Sequence, residues 1–68
     1  MFGERLKSLR ESNHLTLEAL AEKYNRRFDG GLNKGTLSKY ENGKQEPMIS
    51  VVNNLALFFD VSIIYVYL

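Results

Sequence analysis

The chain contains no cysteine and one histidine, and it has only 68 residues. Without thiols it can hold neither a disulfide framework nor a thiolate metal site, and it offers no thiol nucleophile. A domain of this size buries only about 60% of the surface that its unfolded chain exposes, so a catalytic cleft is hard to build. The histidine, His14, has no nucleophile or metal-ligand set at a recognisable spacing around it. These absences argue against an enzyme, and we expect no metal, cofactor or small-molecule substrate.

The chain also lacks a long uninterrupted apolar run. Charged residues occur within the first seven positions, which differs from a signal peptide. The most apolar stretch, residues 49–68, is interrupted by two asparagines, one aspartate and two serines, and an ionisable group inside a membrane is costly. We therefore expect one cytoplasmic domain covering residues 1–68, with no membrane association.

Charge is nearly balanced overall but unevenly distributed. Residues 23–44 hold six basic side chains and two acidic ones, a balance of +4, and the rest of the chain sums to −3 because the total is +1. A basic segment of this kind is expected of a phosphate-binding face, but taken alone it is more often an ordinary solvated charged surface. Its meaning depends on the element that it surrounds.

The spacing of apolar residues predicts two helices in the first half of the chain. Phe2, Leu6 and Leu9 repeat at i, i+4 and i+7, which places them on one side of a helix over residues 2–12. A second helix follows Thr16, a residue favoured at N-caps. Its apolar stripe consists of Leu17, Leu20, Ala21, Tyr24 and Phe28.

Turn residues divide the second half into three more segments. Asp29-Gly30-Gly31 is the strongest break in the chain and must be a loop. Helix 3 lies between Asn33, its N-cap, and the stop signal Asn42-Gly43. Two further segments are predicted behind Pro47 and Ser62, residues 48–59 and 63–68. The first of these is a helix, whereas propensity alone favours a strand for the second.

Helix 3 contains two apolar residues, Leu37 and Tyr40, whose i, i+3 spacing turns both towards the core. The remaining side chains then lie on the other side or flank it: Lys34, Gly35, Thr36, Ser38, Lys39 and Asn42. A helix fits the major groove of DNA, where lysine suits the O6 and N7 acceptors of guanine. We therefore expect Lys34 and Lys39 to read bases.

The stretch from Thr36 to Pro47, with Leu-Thr-Leu-Glu-Ala-Leu-Ala at residues 15–21, resembles the helix-turn-helix of the phage repressor and Cro family, often called the XRE family. The resemblance covers nearly the whole chain. It implies an all-α, five-helix, lambda-repressor-like DNA-binding domain in which helices 2 and 3 form the helix-turn-helix, and it favours a helix for residues 63–68. A transcriptional regulator that binds double-stranded DNA is implied as well.

The resemblance also suggests individual roles. Base reading falls on the first two residues and a middle residue of helix 3, here Lys34, Gly35 and Lys39, and Ser38 on the same side is added. Lys44 is placed against a phosphate. The other candidates for phosphate contact are Thr16, Arg26, Arg27, Asn33, Thr36 and Asn42. Several have plain alternatives: a helix cap for Asn33, a solvated helix end for the two arginines, and a merely tolerated glycine at position 35.

One structural pair is implied too. In the family, an arginine at the end of helix 1 pairs with the glutamate of the Tyr-Glu-Asn-Gly segment, and Arg10 and Glu41 match those positions. Arg10 borders the apolar stripe of helix 1, and Glu41 follows the inward Tyr40, so both charges lie near the core. The alternative is two exposed charges.

The chain departs from the family pattern in the turn between helices 2 and 3. Residues 25–34 exceed the short turn that is usual there, so we expect an extended helix 2, an enlarged turn that bulges outward, and a docking angle of its own. At the start of helix 2, operator-reading members often carry glutamine, where this chain has Leu17. That difference weakens the expectation of base reading.

Surplus apolar residues near the end of the chain are the last departure: Leu57, Ile64, Tyr65, Tyr67 and Leu68. A patch of this kind indicates a partner surface. It fits a homodimer through the carboxyl-terminal helix, or a further domain of a longer protein. The alternative function is therefore a protein-interaction module of the same fold, such as an antitoxin or anti-repressor partner.

Overall fold

The computed structural model of the protein describes the backbone of residues 2–67 and the side chains of residues 2–66. This part of the chain forms five helices: α1 Phe2–Ser12, α2 Leu17–Phe28, α3 Lys34–Glu41, α4 Ile49–Phe59 and α5 Ile63–Tyr67. No strand occurs within it. The predicted all-α fold with five helices and an enlarged turn between α2 and α3 is confirmed. In this described range, no helix combines the length and apolar character needed to cross a bilayer.

Side-chain caps set the starts of α2 and α3. The Thr16 hydroxyl accepts a hydrogen bond from the Ala19 N–H at 3.0 Å, and the Asn33 amide oxygen accepts one from the Thr36 N–H at 2.9 Å. Each cap satisfies a backbone donor that the first helical turn leaves without a partner. Both predicted N-caps are therefore confirmed.

The start of α4 differs by one residue from the prediction of a helix over 48–59. Met48 has extended backbone angles, φ −67° and ψ 153°, and no side-chain cap bond. Its carbonyl accepts the Val52 N–H at 3.1 Å, as an N-cap carbonyl does. Met48 is thus the N-cap of α4, and the first helical residue is Ile49.

The core draws on all five helices, and each of its members is apolar or a tyrosine: Phe2, Leu6, Leu20, Ala21, Tyr24, Leu37, Tyr40, Val52, Leu55, Ala56 and Val66. α3 packs on α1 and α2, whereas α5 packs on α4 and α1. α3 is only eight residues long. An isolated helix of that length is marginal in water, so its packing against two neighbours stabilises it.

Candidate nucleic-acid interface

Two buried side chains fix the rotation of α3 about its axis. Leu37 has 0% of its surface exposed and Tyr40 has 6%, so both point into the core as predicted. The other side of the helix consequently faces solvent. Lys34, Gly35 and Lys39 are exposed, and the two smaller hydroxyl residues are half-buried, Thr36 and Ser38. Among the side chains of residues 2–66, neither lysine has a hydrogen bond or an ion pair, so both ammonium groups are available to a ligand.

The two asparagines at the ends of α3 already bind within the protein. The Asn33 amide oxygen caps the helix through Thr36, as described above. The Asn42 amide nitrogen donates to the Ser38 carbonyl at 2.9 Å and to the Ser38 hydroxyl at 3.3 Å. A phosphate accepts hydrogen bonds and needs a donor, so it would compete with Ser38 for the Asn42 amide nitrogen.

Acidic side chains lie beside the start of α3. Glu18 and Glu22, one turn apart on α2, line the same surface groove as Asn33 and Lys34. Their carboxylates lower the positive potential at the amino end of α3, where an anion would otherwise be favoured. Sequence reasoning missed this pair, although its i, i+4 spacing on the polar side of helix 2 was a usable signal.

The two arginines at the end of α2 differ in their contacts. Arg27 turns towards α4: its guanidinium donates to the Leu57 carbonyl at 3.5 Å and lies 5.0 Å from the centre of the Phe28 ring. Arg26 is exposed and makes no such contact among the described residues. Of the two, Arg26 is therefore the one whose guanidinium has no partner in the described part of the chain.

Lys44 lies just beyond the end of α3. Gly43 takes a left-handed conformation with φ 72°, which glycine adopts without strain and which ends a helix. The Lys44 N–H then bonds back to the Lys39 carbonyl at 2.8 Å, and its side chain is exposed. The backbone of Lys44 is therefore fixed while its ammonium group faces solvent.

Arg10 and Glu41 form an ion pair between α1 and the end of α3. Arg10 Nε donates to Glu41 Oε2 at 2.7 Å and Nη2 donates to Oε1 at 3.1 Å, while Nη1 donates to the Leu15 carbonyl at 2.8 Å. The side chains are 12% and 5% exposed. The hydrogen bond to Glu41 raises the pKa of Arg10. One guanidinium thus connects α1, α3 and the segment before α2.

Gly3 allows a close approach next to this ion pair. A Cβ atom at Gly3 would lie 2.5 Å from the carbonyl oxygens of both Tyr40 and Glu41, which is far inside contact distance. The first turn of α1 therefore lies directly on the last turn of α3. Tyr40 belongs to this last turn, and the pKa of its side chain is raised above the usual value, mainly by burial. Sequence reasoning missed Gly3, although a glycine within an amphipathic helix is unusual enough to mark the position.

Several large apolar side chains on or next to α4 and α5 are exposed to solvent. Three of the residues expected to form a partner surface are among them, Leu57, Ile64 and Tyr65. Tyr65 is partly engaged, because Arg5 lies over its ring and donates to its carbonyl. Two residues that sequence reasoning missed are exposed as well, Met48 and Ile49. The expected contributions of the Tyr67 side chain and of Leu68 lie outside the described residues.

The described residues contain no group of three or more His, Cys, Asp or Glu side chains that could hold a metal ion. His14 follows α1 in a left-handed conformation, with φ 58°, and it is exposed. Its N–H bonds to the Glu11 carbonyl at 3.0 Å, so the residue belongs to the helix end.

Comparison with known proteins adds two findings. A family model described as a helix-turn-helix domain matches residues 3–68. The chain is 35% identical over 66 residues to an uncharacterized HTH-type transcriptional regulator, YobD, of Bacillus subtilis (strain 168). That alignment covers 97% of this chain and 54% of the relative, so the chain spans about half the length of the curated relative that it matches. No solved structure matches the chain.

Proposed function

Because the chain belongs to the helix-turn-helix domain family, we propose that it is a sequence-specific DNA-binding transcriptional regulator, similar to phage and prophage repressors, that reads the major groove with α3. The observation that carries this proposal is the rotation of α3. Leu37 and Tyr40 are buried, and this leaves Lys34 and Lys39 exposed on the outer side of α3, with no partner among the side chains that the structure describes. The major groove is wide enough to admit an α-helix. Such a regulator would work in the cytoplasm.

The proposed roles divide into base reading and positioning. Lys34, Gly35, Ser38 and Lys39 face the bases. Phosphate contacts come first from Arg26 and Lys44, whose exposed cations have no internal partner in the described part of the chain. The remaining candidates bind within the protein or lie at helix starts and are secondary: Thr16, Arg27, Asn33, Thr36 and Asn42.

We also propose that the protein forms a two-fold dimer. Three large apolar side chains of α4 and α5 are exposed, Leu57, Ile64 and Tyr65, and exposed apolar residues of this kind favour a partner surface on these two helices. A dimer of this kind binds two half-sites about 34–36 Å apart, and its operator is a palindrome.

Selection of bound sequences from a random duplex pool tests the function directly. We expect one enriched half-site, repeated with inverted orientation about one helical turn away. We also expect the logarithm of the affinity to fall with the logarithm of the salt concentration, by about 0.9 for each phosphate that the protein neutralises. The proposal would be contradicted if no sequence were enriched from the pool, or if the affinity for DNA did not depend on the salt concentration.

Two lysine variants separate reading from positioning. Lys39→Ala is expected to lose about 1–3 kcal/mol of discrimination at one base position, because it removes a contact to a base edge. Lys44→Ala is expected to weaken all duplexes alike and to reduce the salt slope by about 1, because it removes a phosphate contact. Titration of both variants against selected and random duplexes measures the difference. Identical behaviour of the two variants would show that these roles are wrongly assigned.

The second candidate function is a protein-interaction module of the same fold, such as an antitoxin or anti-repressor partner. The exposed side chains of Met48, Ile49, Leu57 and Ile64 favour it, since large apolar side chains in contact with solvent are typical of a protein-binding surface. Binding to random duplex DNA at low salt distinguishes the two functions. The regulator binds such DNA through phosphate contacts, whereas the interaction module does not.

A further inference from the structure

The turn between α2 and α3 covers residues 29–33 and leads into the first residue of α3. Local bonds hold its two ends: the Asp29 N–H donates to the Asn25 carbonyl at 2.9 Å, and Asn33 caps α3. In the described part of the chain, the backbone groups of residues 30–32 have no backbone hydrogen-bond partner. The middle of the turn therefore depends on side chains for its position.

Asn25 supplies both hydrogen bonds that hold the middle of the turn. Its Nδ2 donates to the Leu32 carbonyl at 2.6 Å, and its Oδ1 accepts from the Leu32 N–H at 2.9 Å. The amide offers one donor and one acceptor side by side, so it pairs with Leu32 as a neighbouring strand would. Leu32 also packs against the core and directly precedes the N-cap Asn33. The pairing thus fixes where α3 begins relative to α2.

Gly30 lets the turn lie on a buried ring. A Cβ atom at Gly30 would be 2.9 Å from Tyr24 Cε1 and 3.6 Å from Asn25 Oδ1. The ring cannot move aside freely, because Tyr24 is 3% exposed and its hydroxyl accepts a hydrogen bond from Asn54 Nδ2 at 3.0 Å. A side chain at Gly30 would therefore lift the turn. A Cβ atom at the next residue, Gly31, would meet nothing within 4 Å.

We propose that Asn25 is a positioning residue for base recognition, because the Asn25–Leu32 pairing, with glycine at position 30, sets the position of Lys34. This inference rests on the proposed function, since it requires that α3 reads bases. Lys34 is two residues beyond Leu32, so a displaced turn moves it directly. Lys39 lies near the end of α3 that the ion pair with Arg10 holds, so it moves less. Loosening the turn therefore affects the base that Lys34 faces more than the base that Lys39 faces.

The test begins with the duplex that the wild-type chain selects. The base positions whose discrimination Lys34→Ala and Lys39→Ala relax identify what each lysine faces. Asn25→Ala then removes both bonds to Leu32, and Gly30→Ala lifts the turn while leaving the Asn25 amide in place. Gly31→Ala is the matched control, because it makes the same change one residue further along in open space.

Affinities are measured at a temperature at which circular dichroism shows each protein folded. Asn25→Ala and Gly30→Ala are expected to lose discrimination at the Lys34 base by about tenfold, as loss of one well-made base contact does. Their affinity for random duplex and their salt slope should stay at the wild-type value, because the two primary phosphate contacts, Arg26 and Lys44, lie outside the turn. Gly31→Ala should match the wild type throughout.

The possible failures are distinguishable. If the wild-type chain selects no duplex, the proposed function fails and the inference falls with it. If the wild type selects a site and both folded variants keep its discrimination at the Lys34 base, the inference alone is overturned, and Asn25 serves stability only. A parallel loss at both lysine bases and on random duplex overturns it as well, because that result means general damage to the domain.

Discussion

The carboxyl end of α3 is held by charge, whereas its amino end is held by neutral hydrogen bonds. At the carboxyl end, Glu41 accepts two bonds from Arg10, and Gly3 lets α1 lie directly on the last carbonyls. At the amino end, Asn33 caps the helix and Asn25 pairs with the turn before it. Both ends are therefore fixed to neighbouring elements, but by contacts of different strength.

Because of this difference, we call the carboxyl end of α3 the anchored end, since its position is held more strongly, and the amino end the adjustable end. Removing one partner of a buried ion pair costs about 3–5 kcal/mol, because the other charge is left uncompensated. Removing one partner of a neutral hydrogen bond costs less, about 1–3 kcal/mol, because the group left behind carries no charge. The two candidate reading lysines lie on different sides of this division, with Lys39 near the anchored end and Lys34 at the adjustable end beside Glu18 and Glu22.

The largest expected effect comes from breaking the ion pair. Arg10→Met leaves the Glu41 carboxylate, whose side chain is 5% exposed, without its partner, and we expect the free energy of unfolding to fall by up to about 3–5 kcal/mol, measured by urea titration. The double change Arg10→Met with Glu41→Leu removes both charges and should recover most of that loss.

Glu11→Gln is the control for this experiment. Glu11 is also paired with Arg10, at 3.9 Å, but its side chain is 60% exposed. Its loss should therefore cost under about 1 kcal/mol. Equal losses for Arg10→Met and Glu11→Gln would show that the carboxyl end has no special anchor.

The next effect in size tests the close approach at Gly3. Alanine within a helix is normally favoured over glycine by about 1 kcal/mol, yet at this position its Cβ would meet two carbonyl oxygens at 2.5 Å. We expect Gly3→Ala to destabilise the domain by about 1–3 kcal/mol, as overpacking does. Ser8→Ala, on the exposed side of the same helix, should be neutral or slightly stabilising. Thermal unfolding measures both, and a gain of stability in Gly3→Ala would contradict the packing described for α1 on α3.

The smallest expected loss of stability concerns the amino end of α3, which neutral hydrogen bonds hold. Asn33→Ala removes the side-chain cap of α3 and should cost about 1 kcal/mol, whereas Asn33→Ser keeps an acceptor for the Thr36 N–H and should cost much less. Thr16→Ala removes the N-cap of α2 in the same way, so it shows how much stability the loss of one cap costs in this protein. If Asn33→Ala proved as harmful as Arg10→Met, the two ends of α3 would be equally anchored and the comparison would fail.

Much of the fold followed from the sequence because its signals are local. The helix starts at Thr16 and Asn33 rest on side chains that bond three residues further along, and the inward direction of Leu37 and Tyr40 follows from the helical repeat alone. The resemblance to the phage repressor and Cro family was confirmed at the level of the helix-turn-helix family. It also named Arg10 and Glu41, which the structure brings together.

Other contacts could not be predicted, since they join segments that are distant in the chain. Nothing in the local sequence says that Arg27 turns towards the carbonyl of Leu57, or that Asn54 donates to Tyr24. Met48 and Ile49 belong to an apolar run, so their exposure depends on where α4 meets its neighbours. The side of a helix on which a residue lies is set by the local sequence. What that side packs against is set by the arrangement of the helices.

The amino-acid sequence by itself therefore determined the first four helices, their boundaries to about one residue, and which side of α3 faces outward, whereas the helical form of residues 63–67 was expected only from the family resemblance. Only the tertiary structure decided how the two ends of that helix are held, by Gly3 and Arg10 at one end and by Asn25 at the other. The physical reason is that helical periodicity and capping act over three or four residues. Close approach and ion pairing instead depend on how whole helices are arranged around a shared core.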